Sequence, residues 1–292
     1  MRCNQCPRKC NINREGGTLG FCGVGSGFSV ARAALHPWEE PPISGSLGSG
    51  TIFFSGCNLR CVFCQNYRVS HSAIGTPMSE KELIRTMLCL RDEGAHNINL
   101  VTPSHYTQQL VRVLEKVKPD LGIPVVWNSG GYESLESLRM LDGLVDIYLP
   151  DCKYLSSELS AAYSAAPDYF SVVLPALREM CRQSGRPQFG GDGMLLRGTV
   201  VRHLVLPGCR QDSIALLHTL AKSIGTDRFL LSLMCQYTPD FAQHCAHRNL
   251  HRKLTSFEYQ SVLDVVAELG FEGFSQDASS ATAAFTPNFS EN

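Results

Sequence analysis

Residues 51–67 read Thr-Ile-Phe-Phe-Ser-Gly-Cys-Asn-Leu-Arg-Cys-Val-Phe-Cys-Gln-Asn-Tyr. The first four are β-branched or aromatic and are bounded by Gly50 and by Ser55-Gly56, the composition of a short strand that ends in a turn. Three cysteines follow at once: Cys57, Cys61 and Cys64, spaced C-x3-C-x2-C. The thiols therefore sit on the loop at the carboxyl end of a strand, where parallel α/β folds place their chemistry.

Outward from this stretch, short apolar runs alternate with helical patterns. Further strands are predicted at 97–101, 123–127, 145–149, 199–206 and 229–234. Ser79-x-x-Glu82 is a capping box ahead of Leu83, Met87 and Leu90, and Thr255-x-x-Glu258 repeats that signal ahead of Val262, Val265, Val266 and Leu269. Other helical patterns fall at 105–117, 134–141, 156–165, 168–183 and 212–224. Strands alternating with helices mean parallel βαβ units. Six of them predict an α/β fold, an open partial (β/α)6 barrel of the TIM type, with its site at the strands' carboxyl ends.

The segment 1–50 differs, with four cysteines, many glycines and little periodicity. It reads as a small Cys-rich, metal-binding extension whose residues 41–50, Pro-Pro-Ile-Ser-Gly-Ser-Leu-Gly-Ser-Gly, form a turn-rich connector. The barrel is assigned to 51–274. The tail 275–292 is small and polar and is expected to be poorly ordered, and the glycine-rich loop 184–198 is expected to be mobile.

The 292 residues, 43% of them hydrophobic, suffice for one large domain or two small ones. A formal net charge of -1 gives no global electrostatic case for nucleic acid or a membrane surface. No apolar run approaches the roughly 18 residues of a membrane span. Met1 to Cys10 is polar and cysteine-bearing, unlike a secretory h-region, so a cytoplasmic protein is expected. In that reducing compartment thirteen cysteines do not make a disulfide framework. Seven fall into two tight groups; the six scattered ones read as small buried hydrophobes.

Three soft thiolates can hold three irons of a 4Fe–4S cube. The fourth iron then has no protein ligand, and the amino and carboxylate groups of S-adenosylmethionine (SAM) can chelate it. A structural zinc site is the alternative, but zinc sites use four ligands, usually from paired C-x2-C units, and no fourth ligand lies nearby.

Gly56-Cys57-Asn-Leu-Arg-Cys61-Val-Phe-Cys64-Gln-Asn resembles the radical SAM activases of glycyl radical enzymes, typified by pyruvate formate-lyase activating enzyme, and is closer still to a sister family related to it. That sister family also carries a Cys-x-x-Cys-Pro-Arg-x-Cys element, matched here by Cys3 to Cys10. Further matching segments are 99–105, 127–133, 146–154, 201–208 and 234–237, so the resemblance spans almost the whole chain. It implies an oxidoreductase with a 4Fe–4S cluster, SAM, an electron donor of flavodoxin or ferredoxin type, and a glycyl radical enzyme as partner.

The resemblance also places Asp151 and Lys153 at the Asp-x-Lys position where activases bind SAM, and Arg202 at a further SAM contact. Chemically, Lys153 suits the SAM carboxylate, and Asp151 its amine or a ribose hydroxyl. His203 should point to the opposite face from Arg202. The activases' Gly-Gly-Glu motif is missing: that position reads Val101-Thr102-Pro103-Ser104-His105. Backbone oxygens or the hydroxyls of Thr102 and Ser104 are the substitutes, and His105 is either a functional acid/base or a packed residue. Asn128, Gln236 and Tyr237 are further lining candidates.

Cys3, Cys6, Cys10 and Cys22 form a second four-thiolate set, suited to zinc or to an auxiliary Fe–S cluster. Three functions compete. One is glycyl radical installation in a partner protein. Another is a radical SAM reaction on a small molecule or other macromolecule. The third is a non-enzymatic, metal-stabilised binding module, which leaves the polar residues at the strand ends without purpose.

Overall fold

The computed structural model describes residues 2–276 apart from Ala73. In chain order its strands are β1 (Arg2–Cys3), β2 (Ile12–Asn13), β3 (Phe28–His36), β4 (Ser49–Phe54), β5 (Thr76–Met78), β6 (Ile98–Val101), β7 (Val125–Ser129), β8 (Ile147–Pro150), β9 (Gln188–Phe189), β10 (Leu195–Leu204), β11 (Leu230–Met234) and β12 (Gly273–Ser275). Strands β4, β6, β7, β8, β10, β11 and β12 pair in that order, each parallel to the next. The chain is thus an α/β protein with the partial barrel expected. Among the described residues the two edges, β12 and β5, do not pair, so the barrel is open.

All six expected strands are present, and two features exceed the expectation. A seventh parallel strand, β12, ends at Ser275 inside the stretch assigned to the tail, and Gln276 donates its amide to the Leu233 carbonyl at 3.2 Å. The rest of the tail lies outside the described residues. Toward the other edge, β3 lies antiparallel between β4 and β5, so residues 28–36 of the extension belong to the main sheet. A bulge between Val30 and Arg32 buries both Val30 and Ala31 and breaks the period-2 pattern by which a strand is recognised. The glycine-rich stretch after helix Tyr169–Ser184 is a β9–β10 hairpin whose turn is closed by Gly190 donating to the Met194 carbonyl at 2.8 Å.

The sheet has a core on each side. Outward-facing Leu100, Trp127, Tyr148, Val201 and Leu231 pack under the helices with Leu83, Leu114, Leu177 and Leu216. The capping boxes at Ser79/Glu82 and Thr255/Glu258 both form, fixing where two of those helices start. Inward-facing Val126, Ile147, Leu149, Val200 and Leu230 enclose Ile43, which is completely buried. Residues 41–50 are therefore more than the connector expected: Pro41–Ser44 forms one helical turn that plugs the amino end of the barrel. Asn97 secures it by donating to the Ile43 carbonyl at 2.7 Å. The apolar plug leaves the carboxyl end of the barrel open, and the polar residues gather there. No helix among the described residues is long and apolar enough to cross a membrane.

Candidate active site

The cysteine loop leaves β4 through Gly56, whose φ of +80° lies in the left-handed region. A Cβ there would stand 2.5 Å from the Cys22 carbonyl, so only glycine lets the turn pack against the amino-terminal segment. The end of helix Ser157–Ser164 then holds the loop: Arg60 and Val62 donate their amides to the carbonyls of Ser164 and Tyr163 at 3.2 and 2.9 Å. The Cys57 sulfur accepts from the Leu59 amide at 3.4 Å. Cys61 and Cys64 lie 3.0 and 3.2 Å from the hydroxyls of Ser164 and Ser70. Satisfied this way, the thiols as placed do not converge; among the described residues no three Cys, His, Asp or Glu side chains stand close enough to hold a metal ion.

The donor chemistry nevertheless suits one. Burial pushes the Cys57 thiol up, and burial and the neighbouring Cys61 push Cys64 up to about 11, with Lys153 opposing both shifts. A soft cation that takes these thiols as thiolates removes that mutual repulsion.

Cys61 and Cys64 open onto a cavity of about 710 Å³ at the carboxyl ends of the strands. Its wall carries a continuous charged network. Lys153 Nζ lies 2.6 Å from Asp151 Oδ2, and Asp151 Oδ1 accepts from Arg202 Nε at 3.0 Å. Arg202 also pairs with Glu39 at 3.2 Å and donates to Asn128 Oδ1. Asn99 and Asn128 complete the ring by donating to Glu39 Oε1 at 2.9 and 3.2 Å.

Period-2 alternation explains the convergence. Asn99, Asn128 and Arg202 occupy inward positions of β6, β7 and β10, while His203 faces outward and holds the Cys152 carbonyl at 2.7 Å. Burial works against the Asp151 carboxylate, but Lys153 and Arg202 outweigh it and hold it below the usual carboxylate range. Burial likewise disfavours the Lys153 ammonium, yet Asp151 and Cys61 hold it protonated.

Thus Cys61, Cys64, Asp151, Lys153, Arg202 and Asn128 face one cavity, as do Gln236 and Tyr237. Thr102 is absent from the lining: its φ is +58°, and its amide donates to the Asn128 carbonyl at 2.8 Å. The chain turns outward there. Ser104 donates to the buried Glu133, and His105 Nε2 meets the Ser55 carbonyl at 2.8 Å, so neither reaches the cavity. Burial lowers the His105 pKa to about 3, which makes it a neutral packed residue in place of an acid/base.

Sequence reasoning missed Glu39 and Glu40. Burial pushes both carboxyls up, with Arg202 opposing it, and Glu40 Oε2 is buried without a hydrogen-bond partner. The available signal was a pair of adjacent acids between Trp38 and Pro41-Pro42 in a chain only 18% charged.

Cys3, Cys6, Cys10 and Cys22 line one small pocket beside His105. Burial raises Cys6 to about 12, with Cys22 and Cys10 adding to it; burial also raises Cys22, with Arg14 opposing. Arg8 joins this unit to the triad loop: it stacks 3.8 Å from the centre of the Phe21 ring and donates to the Asn58 carbonyl at 2.8 Å.

Residues 45–158 match the family described as a 4Fe-4S single cluster domain, a stretch that includes the triad, Asp151 and Lys153. The fold is similar to that of Streptococcus suis SuiB bound to S-adenosylmethionine, with a TM-score of 0.51 and 12% identity over 76% of this chain and 48% of that one. At that identity the likeness shows a shared fold. SuiB bound to its precursor peptide SuiA gives the same TM-score at 11% identity, and the chain spans about half of SuiB's length. Among curated sequences, the Methanocaldococcus jannaschii protein named "Uncharacterized protein MJ0674" is 28% identical over 284 residues, 92% of this chain and 75% of that relative.

Proposed function

We propose that the chain is a radical SAM enzyme, that Cys57, Cys61 and Cys64 hold a 4Fe–4S cluster, and that the Asp151–Lys153–Arg202–Asn128 network orients SAM beside it. The observation that carries this reading is that Cys61, Cys64 and the whole network face one cavity. When bound, the cluster and SAM together supply a 5′-deoxyadenosyl radical that abstracts hydrogen from the substrate. The chain's own residues do the positioning. Lys153, 17% exposed at its side chain, offers an ammonium to the SAM carboxylate, and Asp151 accepts from the amine or a ribose hydroxyl. Arg202 is fixed from three sides and keeps Asp151 ionised and in place. Phe63 and Tyr237, whose ring centroids lie 6.1 Å apart, add an apolar, aromatic part to the cavity's lining.

The substrate class favoured by the resemblance to activases is a partner protein that receives a glycyl radical. Radical modification of a small molecule or another macromolecule is the second reading, favoured by the absence of Gly-Gly-Glu at 101–105. The four thiols of Cys3, Cys6, Cys10 and Cys22 form a second metal site, for zinc or an auxiliary cluster. Anaerobic reconstitution, reduction with dithionite and chromatography should yield 5′-deoxyadenosine from SAM. None formed at full iron loading, with candidate substrates present, would sink the radical reading. Electron paramagnetic resonance after adding candidate glycyl radical enzymes separates the two substrate classes. A Cys57/Cys61/Cys64 triple alanine variant should retain the metal of the second site.

A further inference from the structure

After β11 the chain runs through two short 3-10 turns, Pro239–Ala242 and Arg248–His251, into helix Ser256–Leu269. Residues 244–257 read His-Cys-Ala-His-Arg-Asn-Leu-His-Arg-Lys-Leu-Thr-Ser-Phe: three full positive charges, three histidines and no acid. In a chain of net charge -1 that is a local excess of positive charge. Arg248 and Lys253 are exposed to solvent. The next acid, Glu258, is buried and committed to Arg252, the Gly208 amide and the helix cap. Beside these cations Phe257 is 68% exposed, with the Arg210 guanidinium 5.0 Å from its ring centre. A cationic face around an exposed aromatic anchor is the composition of a docking surface for an acidic protein.

What lies beneath says which acidic protein. The His247 ring sits 4.8 Å from the Tyr163 ring, and Asn249 donates to the Tyr163 hydroxyl at 2.8 Å. Tyr163 adjoins Ser164, whose hydroxyl is 3.0 Å from Cys61 Sγ, and the Tyr163 carbonyl accepts from the Val62 amide at 2.9 Å. His247, Tyr163 and Ser164 thus form a chain of contacts from this surface to a thiol of the triad. A nucleic acid would gain nothing from that closeness, whereas an electron donor requires it.

We propose that the 244–257 face docks an acidic one-electron carrier protein, which reduces the cluster through the His247–Tyr163–Ser164 side. The inference rests on the triad holding that cluster. One electron leaves the reduced carrier, which is oxidised by one, and enters the 4Fe–4S centre, which is reduced by one; no atom or proton crosses.

The test uses the anaerobic holoenzyme with flavodoxin as the probe, titrated calorimetrically at low and high salt. Charge reversal by Arg248→Glu with Lys253→Glu should weaken flavodoxin binding about tenfold at low salt, a loss that shrinks as salt rises. Flavodoxin-driven 5′-deoxyadenosine formation should fall with it, while the dithionite-driven rate stays at the wild-type value. Lys81→Glu with Arg85→Glu, on helix Glu80–Asp92, controls for net charge and should change neither. The proposal is overturned if the 248/253 variant binds flavodoxin as the wild type does, or if both double variants lose binding equally. It is also overturned if a DNA or RNA oligomer, and not flavodoxin, binds this face. Failure of dithionite to drive wild-type turnover would instead refute the radical reading, while the flavodoxin titration still decides the docking question.

Discussion

Arg202 is the residue whose removal should be felt most, and the structure fixes the size and sign of the effect. Its guanidinium lies 3.0 Å from Asp151 and 3.2 Å from Glu39, with the side chain only 16% exposed. Arg202→Met keeps the apolar stem and deletes the charge, leaving the carboxyls of Asp151, Glu39 and Glu40 without that guanidinium. Breaking a buried pair by removing one partner costs about 3–5 kcal/mol, because the other charge stays behind. The loss should depend on pH. Arg202 helps hold Asp151 below its ordinary pKa, so this part of the stability is present above the unfolded carboxylate range and lost as pH falls through the folded value. The variant's carboxyls titrate higher and relieve their repulsion by taking up protons. Urea unfolding of the metal-free, reduced protein should therefore show the full deficit near pH 8 and a smaller one near pH 5. Adding Glu39→Gln to Arg202→Met should recover about 0.5–3 kcal/mol as the coupling of the pair. A deficit below about 1 kcal/mol, or one equal at both pH values, would refute the view that the network is a buried, charge-balanced unit.

Further outcomes follow from other parts of the molecule. Ile43→Ala removes the apolar plug and should cost about 2–5 kcal/mol in the same unfolding experiment, with little effect on the carboxylate titrations. Lys153→Met should weaken SAM binding to the reconstituted protein by about tenfold in equilibrium dialysis, the loss of one charge-assisted contact. Glu258, held low chiefly by Arg252 and by the Thr255 and Gly208 amides, caps helix Ser256–Leu269. Glu258→Gln should cost about 1 kcal/mol at pH 7, and the gap from wild type should close as acid protonates the native carboxylate.

Much of the fold was legible because its signals are local. Six strands carry apolar runs bounded by turn residues, and two helices announce themselves through Ser79/Glu82 and Thr255/Glu258. The resemblance to activases singled out Asp151, Lys153 and Arg202, and a parallel barrel, which gathers its strands' carboxyl ends, accounts for their meeting Asn128. What stayed hidden is nonlocal. Nothing in Pro41-Pro42-Ile43-Ser44 tells that one isoleucine enters a barrel made of residues about 80 to 190 positions downstream. Glu39 and Glu40 reach the cavity only because that plug carries them there. Thr-Pro-Ser-His reads as a polar strand-end loop, yet the left-handed turn at Thr102 sends Ser104 and His105 behind the sheet.

The route of residues 28–45 has a consequence for how this protein is divided. The same stretch contributes a strand of the main sheet, a carboxylate that holds Arg202, and the stopper at the amino end. A deletion meant to remove only the cysteine-bearing appendage, if it ran to residue 45, would unseal the barrel and unbalance its charges in one cut. The usable breakpoint lies upstream of Phe28. A chimera that borrows the barrel must inherit the strand, the acids and the isoleucine as a single hereditary unit.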